Sequence, residues 1–281
     1  IYHFARAADD IADEGDLPDE ERLRQLGEFR AELARIAAGE TPLTPLFLNL
    51  AAEIQQHALP MQPFYDLLDA FSQDVVKKRY ASFDELLDYC RRSANPVGRL
   101  MLRLYGAESP ANGVASDAIC TALQLANFWQ DLGVDTRRGR LYVPEADCRA
   151  HGVEPMQLLL GHDSAAIRAL VADEVEWARS LMLDGAALVH AVPGRAGWEL
   201  RGVVHGGLPG QVVVVARHAQ RAEQALLAQR AQAGHQRIVA QHRRIEGTWQ
   251  GRDLDARHSF FERHSTQSSP TQISRALNSI S

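Results

Sequence analysis

The chain has 281 residues, with 30 Lys and Arg against 36 Asp and Glu, a formal net charge of −6 and 46% hydrophobic residues. That apolar fraction can bury a sizeable core, which excludes a disordered chain, and the mild acidity argues against a nucleic-acid partner. No charge-free apolar run approaches the ~20 residues that cross a bilayer. Cys90, Cys120 and Cys148 lie far apart without a C-x-x-C pair, so neither a disulfide framework nor a structural zinc site is expected, and a cytoplasmic location fits.

The body reads as successive helices, with no alternating strand pattern of useful length. A first helix is expected to run from before Ile1 to about Glu14. Ile1-Tyr2-His3-Phe4 already looks like mid-helix, so the natural N-terminus is expected upstream. Asp19 to about Ala38 repeats apolar residues at three and four (Leu23, Leu26, Phe29, Leu33, Ile36), and Gly39 closes it. Leu46 to Leu59 and Phe64 to Lys78 form two more apolar-faced helices. Ser82 with Glu85 makes a capping box for Phe83 to Ser93. Pro96 interrupts, and the pattern resumes over Val97 to Leu104. Ser116 or Asp117 is expected to cap a long, deeply buried helix through Asp135. Ser164 to about Val189 and Trp198 to about Val204 follow. The expectation is one all-α domain over 1–207. The tail, 208–281, carries ten arginines against five acids and no Lys, with weak periodicity, and reads as divergent, disordered or out-of-frame material.

Two constellations carry chemistry. In Tyr2-x-x-x-Arg6-x-x-Asp9-Asp10-x-x-Asp13-Glu14, positions 9 and 13 differ by about 40° around a helix and about 6 Å along it. Such a pair either holds a hard divalent cation such as Mg²⁺, with Arg6 reaching an anionic ligand, or is a solvated acidic helix end. In Gln124-x-x-Asn127-x-x-x-Asp131-x-x-x-Asp135, a polar row climbs one face of an otherwise apolar helix. It pairs either with a bound cation or with a buried polar network. Together the two rows suggest opposed carboxylates around a metal cluster, suited to a departing diphosphate. Arg137, Arg138, Arg140 and Tyr142 follow within one loop.

This order of motifs resembles the squalene/phytoene synthase family. Tyr89-Cys90-Arg91-Arg92-Ser93-Ala94-Asn95-Pro96-Val97-Gly98-Arg99 is similar to its kinked helix beside the isoprenoid cavity. The Ser-Ala-Asn-Pro-Val-Gly form and Pro193-Gly194-Arg195-x-Gly197-Trp198-Glu199-Leu200-Arg201 look like the hopanoid-pathway branch. The resemblance implies an isoprenoid synthase fold, a single helical domain around a central cavity, with three Mg²⁺ ions between two acid-bearing helices. It implies that Asp9, Asp13, Asn127, Asp131 and Asp135 are metal ligands, the four acids being catalytic together with Tyr142. Tyr2, Arg6, Gln124 and Arg140 would contact substrate at its polar end, and Tyr89, Ala94 and Gly98 would shape the hydrocarbon channel.

The implied activity is ionisation of presqualene diphosphate, rearrangement of the cation and capture by water to hydroxysqualene, in hopanoid and squalene biosynthesis, without NADPH. The implied partners are the prenyl diphosphate, a presqualene diphosphate synthase that hands it over, and reversible contact with the inner face of the membrane. Alternatives are head-to-head condensation of two prenyl diphosphates to presqualene diphosphate, squalene or phytoene, and a non-catalytic scaffold. Three departures stand out. The family's N-terminal diphosphate-contacting segment would precede Ile1. Gln130 replaces a frequent arginine, and Leu208-Pro209-Gly210 breaks the expected final helix.

Overall fold

A computed structural model describes residues 1–206, whose regular elements are all helices apart from one isolated parallel bridge, Arg79 to Leu141. The elements are α1 (Tyr2–Asp13), α2 (Asp19–Ala37), α3 (Pro45–His57), α4 (Gln62–Val76), α5 (Phe83–Ser93), α6 (Asn95–Leu104), α7 (Pro110–Asp135), α8 (Glu145–Ala150), α9 (Pro155–Leu159) and α10 (Ala165–Gly185). Short 3₁₀ turns follow α7 and α10, and α11 covers 194–206. The expected tail boundary at 207 and everything beyond it lie outside the described residues.

Four phenylalanines organise the first half. Phe4 of α1 meets the rings of Phe29, Phe47 and Phe64 from α2, α3 and α4, with centroids 5.5 to 6.0 Å apart and two of the three contacts edge-on. The corner between α1 and α2 is locked by Arg22, an arginine in core register with Leu26 and Leu33. Its guanidinium donates to the carbonyls of Ile11, Gly15 and Leu17 at 2.7, 2.6 and 3.0 Å. A charged group buried to 8% exposure is tolerable there because its hydrogen-bonding capacity is met by otherwise orphaned carbonyls at the end of α1. The acid-bearing end of α1 is thereby held in place.

The second half is built on α7, which packs along α6 on one side and α10 on the other. It begins at Pro110, earlier than the expected start near Ser116. Ser109 accepts the backbone N–H of Asn112 at 3.1 Å, and Pro110 stands in the first turn, where its missing N–H costs nothing. Ser116 instead lies buried inside the helix. Leu125, Phe128, Trp129 and Leu132 are buried, but Asn127 and Asp131 are exposed and Gln124 and Asp135 half-buried. The expectation of a deeply buried helix is corrected for its polar row, which is exposed or half-buried because α6 and α10 cover only the apolar sides. Two further helices, α8 and α9, were not anticipated, and α11 starts four residues before Trp198.

The kink at Pro96 is a true helix boundary. Ala94 ends α5, Pro96 sits in the first turn of α6, and the buried Asn95 accepts the Thr121 hydroxyl of α7 at 2.9 Å.

Candidate active site

The site is assembled by three elements: the C-terminal end of α1, the C-terminal end of α7, and the segment that leaves α7. After α7 the chain turns through Gly139 at φ 73°, a left-handed conformation that suits glycine. This turn returns the N–H of Arg140 to the carbonyl of Asp135 at 2.9 Å. It also sends the guanidinium across to α1, where it donates to both Asp13 oxygens, at 3.0 and 2.6 Å. The pair is bidentate, and the Arg140 side chain is only 11% exposed. Asp13 and Arg140 are separated by 127 residues, so this contact joins the two acid-bearing helix ends.

Leu141 then donates to the Lys78 carbonyl at 2.9 Å, and Glu145 and Ala146 donate to those of Tyr80 and Ala81. The two segments run side by side and bring Tyr142 onto Tyr80. Tyr142 stacks flat on Phe128 of α7, with centroids 3.8 Å apart at 7°, while Tyr80 and Tyr89 close the cluster at 5.7 and 6.3 Å. An aromatic wall therefore adjoins the acid-bearing ends. Such faces suit an apolar chain or a developing cation.

Electrostatics within the acid group follow from crowding. Burial and the neighbouring Asp13 push the Asp9 carboxyl above its usual range, and Arg6 pulls the other way. Burial and Asp131 raise Asp135 to about 6. Arg6 lies 3.2 Å from Asp9 and 2.7 Å from both Asp10 and Glu14, so in this structure it serves the carboxylates of its own helix. Among the described residues, no three His, Cys, Asp or Glu side chains converge tightly enough to form a metal-binding group. The donor set nevertheless fits Mg²⁺ chemically, since it consists of carboxylate and amide oxygens whose mutual repulsion a cation would relieve.

The other expected residues fall as follows. Tyr2 is exposed at the start of α1. Tyr89 is buried at 4% exposure in the aromatic cluster. Ala94 caps α5 and is half-buried. Gly98 faces α7: a Cβ there would lie 2.4 Å from the Ser116 Oγ and 2.5 Å from the Cys120 Sγ, so its smallness serves the α6–α7 crossing. A cleft of about 700 Å³ opens between α4, the α5–α6 junction and the start of α7, lined by Asp66, Arg99 and Asp117 among others. None of the acid-ladder residues lines it.

One residue of the site escaped the sequence reading. Asp74, on α4, is 8% exposed and accepts the Tyr89 hydroxyl on Oδ2 at 2.7 Å. Burial raises its carboxyl to about 7, against the pull of the Tyr89 hydrogen bond and Arg140. Its signal was available, because it continues the core register of Leu67 and Ala70, where an acid is out of place.

Comparison with known proteins gives the family of the chain. A family model described as squalene/phytoene synthase matches residues 1–240, beyond the compositional boundary at 207. The hydroxysqualene synthase of Sinorhizobium fredii is 38% identical over 193 residues, covering 68% of this chain and 64% of that protein. That of Rhodopseudomonas palustris is 39% identical over 189 residues, covering 67% and 63%. The chain thus spans a little under two thirds of the length of these curated relatives. The crystal structure of squalene synthase HpnC from Alicyclobacillus acidocaldarius matches with a TM-score of 0.72 at 36% identity, over 78% of this chain and 81% of that one. A dehydrosqualene synthase solved with a ligand matches at 0.65 and 21% identity, a likeness of fold. With its all-helical architecture and the family match over most of its length, the chain belongs to the squalene/phytoene synthase family.

Proposed function

We propose that the chain is a Mg²⁺-dependent isoprenoid synthase that converts presqualene diphosphate to hydroxysqualene. The observation that carries this reading is the bidentate Arg140–Asp13 pair, which ties the acid-bearing end of α1 to the segment leaving the acid-bearing end of α7, beside an aromatic cluster. The relatives named hydroxysqualene synthase, at 37 to 39% identity, support the choice of reaction.

Asp9, Asp13, Asn127, Asp131 and Asp135 would hold the metal, and bound Mg²⁺ would neutralise the charge of the leaving diphosphate. Arg140 and Arg6 are placed to turn from carboxylates to diphosphate oxygens, since the same guanidinium fork fits either partner. Gln124 and Tyr2 would contact the polar end of the substrate from α7 and α1. The buried rings of Tyr80, Tyr89, Phe128 and Tyr142 would stabilise the developing cation and shield it from bulk water while the carbon–oxygen bond breaks. Water then captures the rearranged cation, and no hydride donor takes part.

Among the described residues no helix is long and apolar enough to cross a membrane. Reversible contact with a membrane surface, and receipt of substrate from a presqualene diphosphate synthase, complete the reading. A second reading, head-to-head condensation of two prenyl diphosphates, is favoured by phytoene synthases at 31 to 32% identity.

The test is a product assay with purified chain, Mg²⁺ and presqualene diphosphate, without NADPH, read by mass spectrometry of lipid extracts. Hydroxysqualene is the expected product. Turnover of farnesyl or geranylgeranyl diphosphate, with presqualene diphosphate untouched, would establish the second reading instead.

A further inference from the structure

Asp74 places a carboxylate where packing alone would place a hydrocarbon. Its Oδ2 accepts the Tyr89 hydroxyl at 2.7 Å, while its Oδ1 is buried without a hydrogen-bond partner. A buried carboxylate oxygen left unpaired is destabilising, and such groups concentrate where chemistry requires them. On one side stands Arg140, which lies 3.4 Å from the Asp74 carbonyl and holds Asp13. On the other stand the rings around Tyr89, namely Tyr80, Phe128 and Tyr142. Asp74 therefore sits at the seam between the acid-bearing ends and the aromatic wall, where an ionised carbon would part from its diphosphate.

We propose that Asp74 is the base that takes the proton from the capturing water, with Tyr89 as the residue that orients its carboxylate. The inference rests on the hydration reading above and names the group that directs the cation to an alcohol. Ionisation breaks the carbon–oxygen bond, and both electrons leave with the diphosphate. After rearrangement, a lone pair of water forms the new carbon–oxygen bond and gives a protonated alcohol. One proton of that oxonium passes to Oδ1, leaving neutral alcohol and the Asp74 carboxylic acid, which returns the proton to solvent before the next turnover. The Tyr89 hydroxyl, donating to Oδ2, keeps the carboxylate from rotating and leaves Oδ1 as the acceptor.

The readout is alcohol formed per pyrophosphate released, measured on the full chain with presqualene diphosphate and Mg²⁺ and without NADPH. This ratio is independent of the amount of active protein, so a purely structural role would not move it. Wild type is expected near one alcohol per pyrophosphate. Asp74→Asn is expected to lower the ratio about ten-fold or more, with hydrocarbon products of proton loss in its place. An unchanged ratio overturns the proposal. So does an Asp74→Asn chain that melts like wild type but releases no pyrophosphate, because Asp74 would then act in ionisation rather than capture. Should Asp74→Asn fail to fold, Tyr89→Phe decides: a lowered ratio supports the proposal and an unchanged one overturns it. A wild-type chain that forms no alcohol sinks the hydration reading and this inference with it, so the two failures are read in different arms.

Discussion

Arg140 is the residue on which the two halves of the site depend. Its side chain is mostly buried and makes a bidentate contact with Asp13. Arg140→Gln removes the charge and the fork, leaving Asp13 among like-charged neighbours. A loss of about 1–3 kcal/mol is expected, read as a lower denaturant midpoint, together with loss of turnover. Asp131 is the opposite case. It is exposed, so Asp131→Asn should change stability by no more than about 0.5 kcal/mol. Turnover should nevertheless fall by about a hundred-fold or more if it serves a metal-held diphosphate; near-normal turnover would remove it from the site. Glu174 offers a test by pH. It is 3% exposed on α10, its Oε2 lacks a hydrogen-bond partner, and burial, then Asp147, raises its carboxyl from the ordinary 4.5 to about 8. A folded-state value above the unfolded one means that the native chain holds more protons between pH 4.5 and 8. Stability must then fall as pH rises through that window and level off above it. Glu174→Gln is expected to flatten this slope and to raise the midpoint at pH 8 relative to wild type; an unaltered slope would assign it to other groups. The acid ladders were legible because their four-residue spacing repeats. Asp74 and Arg22 carry only a weaker signal, a single charged residue in core register, whose role shows once its partners, far along the chain, are known.

At the scale of elements, two glycines measure how tightly α7 is gripped. A Cβ at Gly98 of α6 would meet the Ser116 Oγ and Cys120 Sγ at 2.4 and 2.5 Å. One at Gly185, the last residue of α10, would meet the Ala115 carbonyl oxygen at 2.5 Å and the Ile119 Cγ1 at 2.6 Å. Side-chain ends can rotate away and backbone cannot, so the substitutions should rank by obstacle. Gly185→Ala is expected to destabilise by about 2–3 kcal/mol and Gly98→Ala by about 1 kcal/mol, the helix preference for Ala offsetting part of each. Equal shifts in melting temperature would show that α10 adjusts as freely as α6. The same elements show what periodicity conveys. Long amphipathic stretches such as α2 and α4 were legible within a few residues. At the start of α7, Gly113 and a polar stretch dilute the apolar pattern, so periodicity puts the start near Ser116, although Ser109-Pro110 carries the capping signal. With five or six residues each, α8 and α9 are too short to show a period at all.

For the whole molecule, the sequence indicates two opposed acid rows and a helical fold, but not the contacts that tie the two helix ends together. The tie between them, Arg140 on Asp13, depends on Gly139 turning the chain back, on Arg22 closing the α1–α2 corner, and on pairing between 78–81 and 141–146. None of these is a periodic signal. The resulting site concentrates acids whose repulsion is only partly offset by Arg6 and Arg140. A ligand that brings both cations and an anion satisfies both sets of charges at once, whereas either component alone satisfies one. Mg²⁺ with pyrophosphate should therefore raise the melting temperature by more than the sum of their separate effects, and a ligand at a hundred times its Kd adds about 2.7 kcal/mol to the folded state. Asp9→Asn should abolish the excess while melting near wild type in the absence of both. A scaffold that kept the fold but lost the chemistry has no reason to couple the two ions. Additive or absent shifts in the wild-type chain would thus favour that reading over catalysis, even with all four ladder acids in place.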